Sequence, residues 1–278
     1  MIKELNHIGL FTANMDVSRR FYVDILGGVV IRDFKNADHL SQLVFIQLAL
    51  GVIELIRVPP DASNKGLAHV AYLIDAERSL DENYLHLHNR GMTFTVLPKP
   101  TSAGDGRLTF FQDFSGAIFE LIQREENIRN RDLAALHARR QADQQFSRPV
   151  TMSNQPDIAA FNHVTIQIPP EKAEPCDLFY TSDMGFLRIG SRMTPEGRKT
   201  LYALGSDRIE LHETLAGVPG QPLCKICFGA DDCAAMRSYL INQGIACSPI
   251  SADSDGASLF TTSGPDGESI EWTDRIET

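Results

Sequence analysis

Two histidines and two glutamates occupy repeated positions in the first half of the chain. His7 and His69 each open a short β-branched run, and Glu54 and Glu120 each lie late in such a run. Because strand side chains alternate between faces, His69 and both glutamates share their faces with apolar neighbours. A carboxylate buried among such neighbours is costly unless a cation or a hydrogen-bond partner compensates it. The four side chains are therefore predicted to hold one divalent metal ion together. The alternative is that each is a partnered polar group at a strand end.

An internal repeat predicts the elements that would position these residues. Residues 5–9, 52–56 and 66–72 reappear at 161–165, 208–212 and 222–228, and residues 117–120 reappear at 268–271. Matches in the same order indicate a tandem duplication. Each copy divides again into two halves, each with one strand, one helix and about three further strands. The pattern thus occurs four times.

Helix signals support this division. A helix capped by Asp16 and carrying Val17 and Phe21 is expected to end at Gly27 and Gly28. The corresponding helices are expected over residues 76–89, 171–184 and 231–243.

The composition changes between the two copies. Residues 124–146 are charged and rich in alanine, which favours a helix, and residues 147–158 have the Pro, Ser and Asn content of a flexible connector. We therefore expect a first domain over residues 1–124, a helical and flexible linker over 125–158, and a second domain over 159–278.

Charge and composition exclude several classes of protein. The net charge of −10 argues against a nucleic-acid partner, which requires a basic surface. No run approaches the ~20 apolar residues of a membrane span, and no secretory signal is visible at the start of the sequence. The five cysteines make a poor disulfide framework. The expectation is a cytoplasmic protein with no membrane or nucleic-acid partner.

The repeated pattern resembles the vicinal oxygen chelate superfamily, which includes glyoxalase I, extradiol dioxygenases and bleomycin-resistance proteins. Residues 21–27 (FYVDILG) are similar to the family's FYxxxLG helix, and residues 113–121 are similar to its turn that leads into an E-L pair. Counterparts of both motifs recur over residues 179–186 and 264–272. The resemblance implies an α+β fold of tandem glyoxalase-like domains, with four βαβββ modules forming two cupped mixed sheets.

The resemblance also implies a ligand set. Family members carry metal ligands on the first and last strands of each module, which here gives His7, Glu54, His69 and Glu120. Two histidines with two carboxylates suit Ni²⁺, Co²⁺, Zn²⁺, Mn²⁺ or Fe²⁺, and the sequence does not choose among these metals.

The ligand pattern implies a reaction class. It is that of glyoxalase I-like members, in which the metal acts as a Lewis acid on a small oxygenated substrate and stabilises an enediolate. A glutamate, Glu120 in first place and Glu54 in second, would move the proton. The expected function is thus a metal-dependent lyase, isomerase or epimerase, in a chain that could form a homodimer. Glutathione is not expected as co-substrate, because Phe11 stands where bacterial relatives carry an arginine.

Two alternatives remain open. An extradiol-type ring-cleaving dioxygenase would use Fe²⁺ or Mn²⁺, but many such enzymes carry a catalytic histidine about where Glu54 stands and a catalytic tyrosine about where Phe110 stands. A non-catalytic small-molecule or drug-binding protein would use the same cups without turnover.

The second copy departs from the pattern at one position. It keeps His163, Glu210 and Glu271 but has Lys225 in the place of His69. An ammonium beside the carboxylates would replace the metal with a salt-bridged cluster, whereas His212 could restore a fourth ligand. A further alternative is that modules exchange partners, which would group His69 and Glu120 with His163 and Glu210.

Overall fold

The computed structural model describes residues 2–75, 77–102, 104–125, 127–129, 131–132, 135, 138, 158–214, 222–253 and 256–275. Most of the helix expected over 124–146, and all but one residue of the connector expected over 147–158, lie outside the described residues. Within those residues, no helix is long and apolar enough to cross a membrane.

The first copy forms one eight-stranded mixed sheet with the strand order β2-β3-β4-β1-β5-β8-β7-β6. Strands β1 and β4 pair in parallel, as do β5 and β8, whereas β2 with β3, β3 with β4, β6 with β7 and β7 with β8 are antiparallel. The strands are β1 Ile2–Thr12, β2 Val29–Lys35, β3 Ser41–Leu48, β4 Gly51–Arg57, β5 Gly66–Ile74, β6 Thr93–Pro100, β7 Arg107–Gln112 and β8 Ile118–Gln123.

The second copy forms a second eight-stranded sheet with the equivalent order β10-β11-β12-β9-β13-β16-β15-β14. Its strands are β9 Ile158–Ile168, β10 Leu187–Thr194, β11 Gly197–Leu204, β12 Asp207–Glu213, β13 Leu223–Ala230, β14 Ser251–Ala252, β15 Ser258–Ser263 and β16 Ser269–Thr273. The predicted α+β architecture of four repeated modules in two mixed sheets is confirmed. Each sheet joins two modules that are adjacent in the sequence.

One helical segment follows the first strand of each module. They are α1 Met15–Arg19 with a π-helical continuation Arg20–Ile25, α2 Leu80–Asn89, α3 Ala173–Leu178 with a π-helical continuation Phe179–Asp183, and α4 Cys233–Asn242. A short 3₁₀ turn, Pro170–Lys172, precedes α3.

The first helix begins earlier than the sequence predicts. Its N-cap is Asn14, whose side chain accepts a hydrogen bond from the Val17 N–H, so the prediction of Asp16 as the cap was wrong. Val17 is half exposed rather than packed in the core. The predicted end of the helix holds, because Gly27 adopts a φ of 78°, a left-handed conformation that favours glycine.

The chain divides into two compact units. One contains Met1–His7, His69–Asn127 and His163–Cys224, and the other contains Ile8–Ala68, Ile128–Asn162 and Lys225–Thr278. An aromatic cluster fills the first unit, with Phe179 contacting the rings of Phe111 and Phe119. In the second unit, Ile128 packs with Phe45 and Val52.

Candidate metal centre

The strand registers bring the four predicted ligands to the central strands of the first sheet. In the parallel pair β1 and β4, Glu54 lies opposite Gly9, two residues beyond His7. In the parallel pair β5 and β8, Glu120 lies opposite Ala71, two residues beyond His69. Since residues two apart share a face, one face of these strands carries all four side chains.

The two histidines and Glu120 converge on one point. The Nε2 atoms of His7 and His69 lie 3.1 Å apart. The Glu120 Oε2 atom lies 3.3 Å from the His7 Nε2 atom and 3.1 Å from that of His69. Potential ligand atoms of these three residues and of Glu54 all lie within 4.8 Å of one another. The structure therefore brings together every residue that the sequence predicts for this site.

The site is buried, and Glu120 has both histidines as partners inside it. His7, His69 and Glu120 are at most 3% exposed, and Glu54 is 7% exposed. Burial alone would raise the pKa of Glu120, but hydrogen bonds and positive charge from His69 and His7 outweigh it and lower that pKa to about 2. An ionised carboxylate and two imidazole nitrogens together supply donor atoms that suit a divalent cation.

Phe110 forms one wall of this site. It lies opposite Glu120 in the β7 and β8 pair, and its ring meets the His69 ring edge to face with centroids 5.1 Å apart. A phenyl ring has no titratable group, so Phe110 packs against the histidine but cannot itself move a proton.

Two asparagines that the sequence does not predict as site residues, Asn6 and Asn127, lie on the Nδ1 side of His7. The Asn6 Oδ1 atom lies 2.9 Å from His7 Nδ1, and the Asn6 Nδ2 group donates to Asn127 Oδ1 at 3.1 Å. The only sequence signal was the Asn-His pair, which recurs as Asn162 and His163.

The second copy holds its carboxylates with cations. Lys225 Nζ lies 2.6 Å from Glu271 Oε2. Glu210 has Lys199 Nζ 3.0 Å from its Oε1 atom and Arg192 Nη2 3.6 Å from its Oε2 atom. Each of these two carboxylates thus has a cationic side chain beside it, and Lys225 pairs with Glu271.

His163, Cys227 and Glu271 form another group whose potential ligand atoms lie within 4.8 Å of one another. The Cys227 thiol faces Glu271 Oε1 at 3.8 Å, whereas Cys224 donates to the Thr165 carbonyl. The two cysteines thus point to different partners, as expected for residues three apart on a strand. His212 is buried on β12, two residues beyond Glu210, and is not a member of this group of three.

Comparison with known proteins identifies one matching family model and one relative in the first half of the chain. A family model described as Glyoxalase/Bleomycin resistance protein/Dioxygenase superfamily matches residues 4–121. The uncharacterised protein YwkD of Bacillus subtilis (strain 168) is 29% identical over 132 residues, which cover 44% of this chain and 98% of YwkD.

Solved structures extend the likeness to the whole chain. The Mn(II)-bound glyoxalase from Novosphingobium aromaticivorans superposes with a TM-score of 0.70 at 16% identity, covering 99% of this chain and 83% of that chain. The 2,3-dioxygenase LapB from Pseudomonas sp. KL28 superposes with a TM-score of 0.69 at 15% identity, covering 98% of this chain and 92% of that chain. At these identities the likeness concerns the fold alone. Residues 4–121 thus match the Glyoxalase/Bleomycin resistance protein/Dioxygenase superfamily, the family that the sequence motifs resemble.

Proposed function

We propose that this chain is a metal-dependent enzyme of the glyoxalase I type, which catalyses proton transfer next to a carbonyl on a small oxygenated substrate. The reaction would be an isomerisation, an epimerisation or a lyase step. The observation that carries the proposal is the convergence of two imidazole nitrogens and the Glu120 carboxylate, with Glu54 as a second carboxylate in the same group.

The residues present fit one divalent cation. Two neutral imidazoles and two carboxylates supply nitrogen and oxygen donors that suit Ni²⁺, Co²⁺, Zn²⁺, Mn²⁺ or Fe²⁺. Their two negative charges match the cation, which supports a site where a divalent ion balances buried carboxylates. When bound, the ion would act as a Lewis acid toward vicinal oxygens of the substrate.

The protein residues have distinct roles in this proposal. His7 and His69 hold the ion, and Phe110 keeps water from the His69 side of the site. One carboxylate takes the proton from carbon and returns it, with Glu120 as the first choice and Glu54 as the second. Both carboxylates are at most 7% exposed, so either could hold the proton beside a substrate bound in this site.

Extradiol-type ring cleavage with Fe(II) or Mn(II) is the second candidate. The likeness of fold to the 2,3-dioxygenase LapB favours it. Against it, Phe110 and Glu54 stand where the family resemblance would place a catalytic tyrosine and a catalytic histidine. A non-catalytic binding protein is the third candidate and requires no turnover.

Metal content tests the proposal first. Elemental analysis of the purified protein should give about one divalent ion per chain. The ion should be lost in His69→Ala and kept in His88→Ala, which changes a histidine on the exposed side of α2 in the same module. No metal after reconstitution with each of the five candidates would contradict the enzymatic proposal and favour a binding protein.

The reaction class requires a second assay. Glyoxalase-type chemistry predicts exchange of the carbon-bound hydrogen of α-hydroxycarbonyl compounds with D₂O, followed by NMR. Oxygen consumption with catechols by the Fe²⁺ or Mn²⁺ form, without such exchange, would establish the dioxygenase alternative instead.

A further inference from the structure

A chain of hydrogen bonds behind His7 leads to a backbone carbonyl. The Asn127 Nδ2 group donates to the Leu5 carbonyl oxygen at 3.1 Å. The Asn127 Oδ1 atom accepts from the Asn6 Nδ2 group at 3.1 Å, and the Asn6 Oδ1 atom faces His7 Nδ1 at 2.9 Å. Each link is within hydrogen-bonding distance.

The direction of each bond follows from the last acceptor. A backbone carbonyl only accepts, so the group that Asn127 turns toward Leu5 must be its NH₂ group. The other end of the Asn127 amide is then its oxygen, which requires the NH₂ group of Asn6. This leaves the Asn6 oxygen toward His7, and an amide oxygen accepts only. The proton of a neutral His7 ring must therefore be on Nδ1.

The Leu5 backbone, at which this series of hydrogen bonds ends, is itself held in place. The Leu5 N–H group donates to Asp207 Oδ2 at 2.7 Å, a buried contact, so the Leu5 backbone is held on its other side as well. Asn6 is 1% exposed, which keeps water from competing for its amide. The orientation of both amides is thus fixed by buried protein groups.

We infer that Asn6 and Asn127 are positioning residues that fix the tautomer of His7, leaving the Nε2 lone pair directed at the proposed metal site. Nε2 is the atom that lies 3.1 Å from His69 Nε2 and 3.3 Å from Glu120 Oε2. A metal-ligating histidine needs its lone pair on the ligating nitrogen, and the partner of the other nitrogen selects that tautomer. The inference rests on the proposed function for its purpose, but the tautomer itself does not depend on a bound metal.

Long-range ¹H–¹⁵N NMR of the metal-free protein tests the tautomer directly. The His7 ring is identified by the pair of ¹⁵N signals that disappears in His7→Gln. We expect the wild type to show a protonated Nδ1, with the Asn6 oxygen as its acceptor. A protonated Nε2 with an unprotonated Nδ1 would overturn the inference, whether or not the protein binds a metal.

Metal titrations of variants test the consequence. Asn6→Leu removes the acceptor and should weaken metal binding by roughly 10- to 100-fold while mixing the tautomers of the metal-free protein. Asn6→Asp, which keeps an oxygen toward Nδ1, should preserve the Nδ1-protonated tautomer. Asn127→Leu frees the Asn6 amide to turn and should also mix the tautomers.

The second repeat provides a matched control. Asn162 also precedes a histidine, is 3% exposed, and donates through Nδ2 to the Arg275 carbonyl. Asn162→Leu should leave both the His7 tautomer and the affinity of the first site unchanged. If Asn6→Leu changed the tautomer no more than Asn162→Leu, the inference would be wrong. If the wild type held the expected tautomer but bound none of the candidate metals, the proposed function would fail and the tautomer assignment would stand.

Discussion

At the residue scale, the proposed metal site depends on one carboxylate that contacts both histidines. Glu120 Oε2 lies within 3.3 Å of His7 Nε2 and 3.1 Å of His69 Nε2. Removing its charge leaves the two imidazoles without their shared anionic partner inside a buried site. Among the single residues of the site, Glu120 is therefore the one expected to contribute most to metal retention.

Glu120→Gln is expected to weaken metal affinity by at least about 100-fold, since loss of an outer partner alone costs roughly 10- to 100-fold. Isothermal titration with the metal found in the wild type measures the change. Glu77→Gln, an exposed glutamate in the same module, should bind like the wild type. Equal affinities for Glu120→Gln and Glu77→Gln would show that Glu120 is not a ligand.

The four clustered residues could be predicted from the sequence, but their supporting partners could not. Alternation along strands places Glu54 and Glu120 on apolar faces, and the repeat relates them to each other and to the histidines. Asn127 lies far from Asn6 in sequence, and no periodicity links an amide beyond the last strand to one in the first strand. The partner of a buried amide is chosen by tertiary packing, which a single sequence does not reveal.

At the element scale, each π-helical segment carries a Phe-Tyr pair whose tyrosine hydroxyl reaches a buried carboxylate. In one unit, the Tyr180 hydroxyl donates to Asp113 Oδ2 at 2.8 Å. In the other unit, the Tyr22 hydroxyl donates to Glu268 Oε1 at 2.5 Å. The motif that resembles FYxxxLG therefore connects the helix of one module to a tight turn of another module within the same unit.

Tyr180→Phe should lower the free energy of unfolding by about 1–3 kcal/mol, because the buried Asp113 carboxylate loses one of its donors. Tyr84→Phe, a partly exposed tyrosine on α2, should change it by less than about 0.5 kcal/mol. Urea unfolding followed by circular dichroism gives both values. Equal effects of the two substitutions would mean that the Tyr180 bond adds no net stability.

Asp113 also predicts a pH dependence. Burial raises its pKa above the ordinary 3.8, although hydrogen bonds from Ser115 and Tyr180 oppose the shift. A raised pKa means that the folded state favours the protonated carboxyl group. The contribution of this group to the free energy of unfolding therefore declines as pH rises through that pKa. The wild type should therefore lose stability relative to Asp113→Asn between pH values just below 3.8 and neutrality. Urea unfolding of both proteins across this range checks the sign, and a relative gain by the wild type would contradict it.

The helix positions were predicted more accurately than the helix beginnings. Glycines at the ends, such as Gly27, adopt conformations with positive φ that other residues avoid, so they mark helix ends in the sequence. The predicted cap of α1 was wrong because Asn14 and Asp16 are both good N-cap residues. Only the path of the chain out of β1 decides between them. The π-helical continuations have no distinct sequence signal, because their pattern of apolar residues is also that of an ordinary helix.

At the scale of the whole molecule, the two repeats keep one fold and differ in how they neutralise buried carboxylates. In the first repeat, Glu120 faces two histidines, whereas in the second its counterpart Glu271 faces the Lys225 ammonium at 2.6 Å. A covalently attached cation provides charge balance without a bound ion. The substitution of histidine by lysine at one strand position is visible in the sequence. The further cations beside Glu210 come from β10 and β11, and the repeat alignment alone did not indicate them.

This difference predicts that metal stabilises the protein through the first repeat. A metal bound only by the folded state, at about 100 times its Kd, should raise the free energy of unfolding by about 2.7 kcal/mol, and a chelator should reverse the effect. The stabilisation should disappear in His69→Ala because this variant loses a proposed ligand. Glu271→Gln should be less stable than the wild type, since the Lys225 ammonium loses a charged partner, yet it should keep the full increment on adding metal. Denaturant unfolding with and without metal measures each increment. Loss of the increment in Glu271→Gln, with retention in His69→Ala, would place the stabilising ion in the second repeat and contradict the assignment.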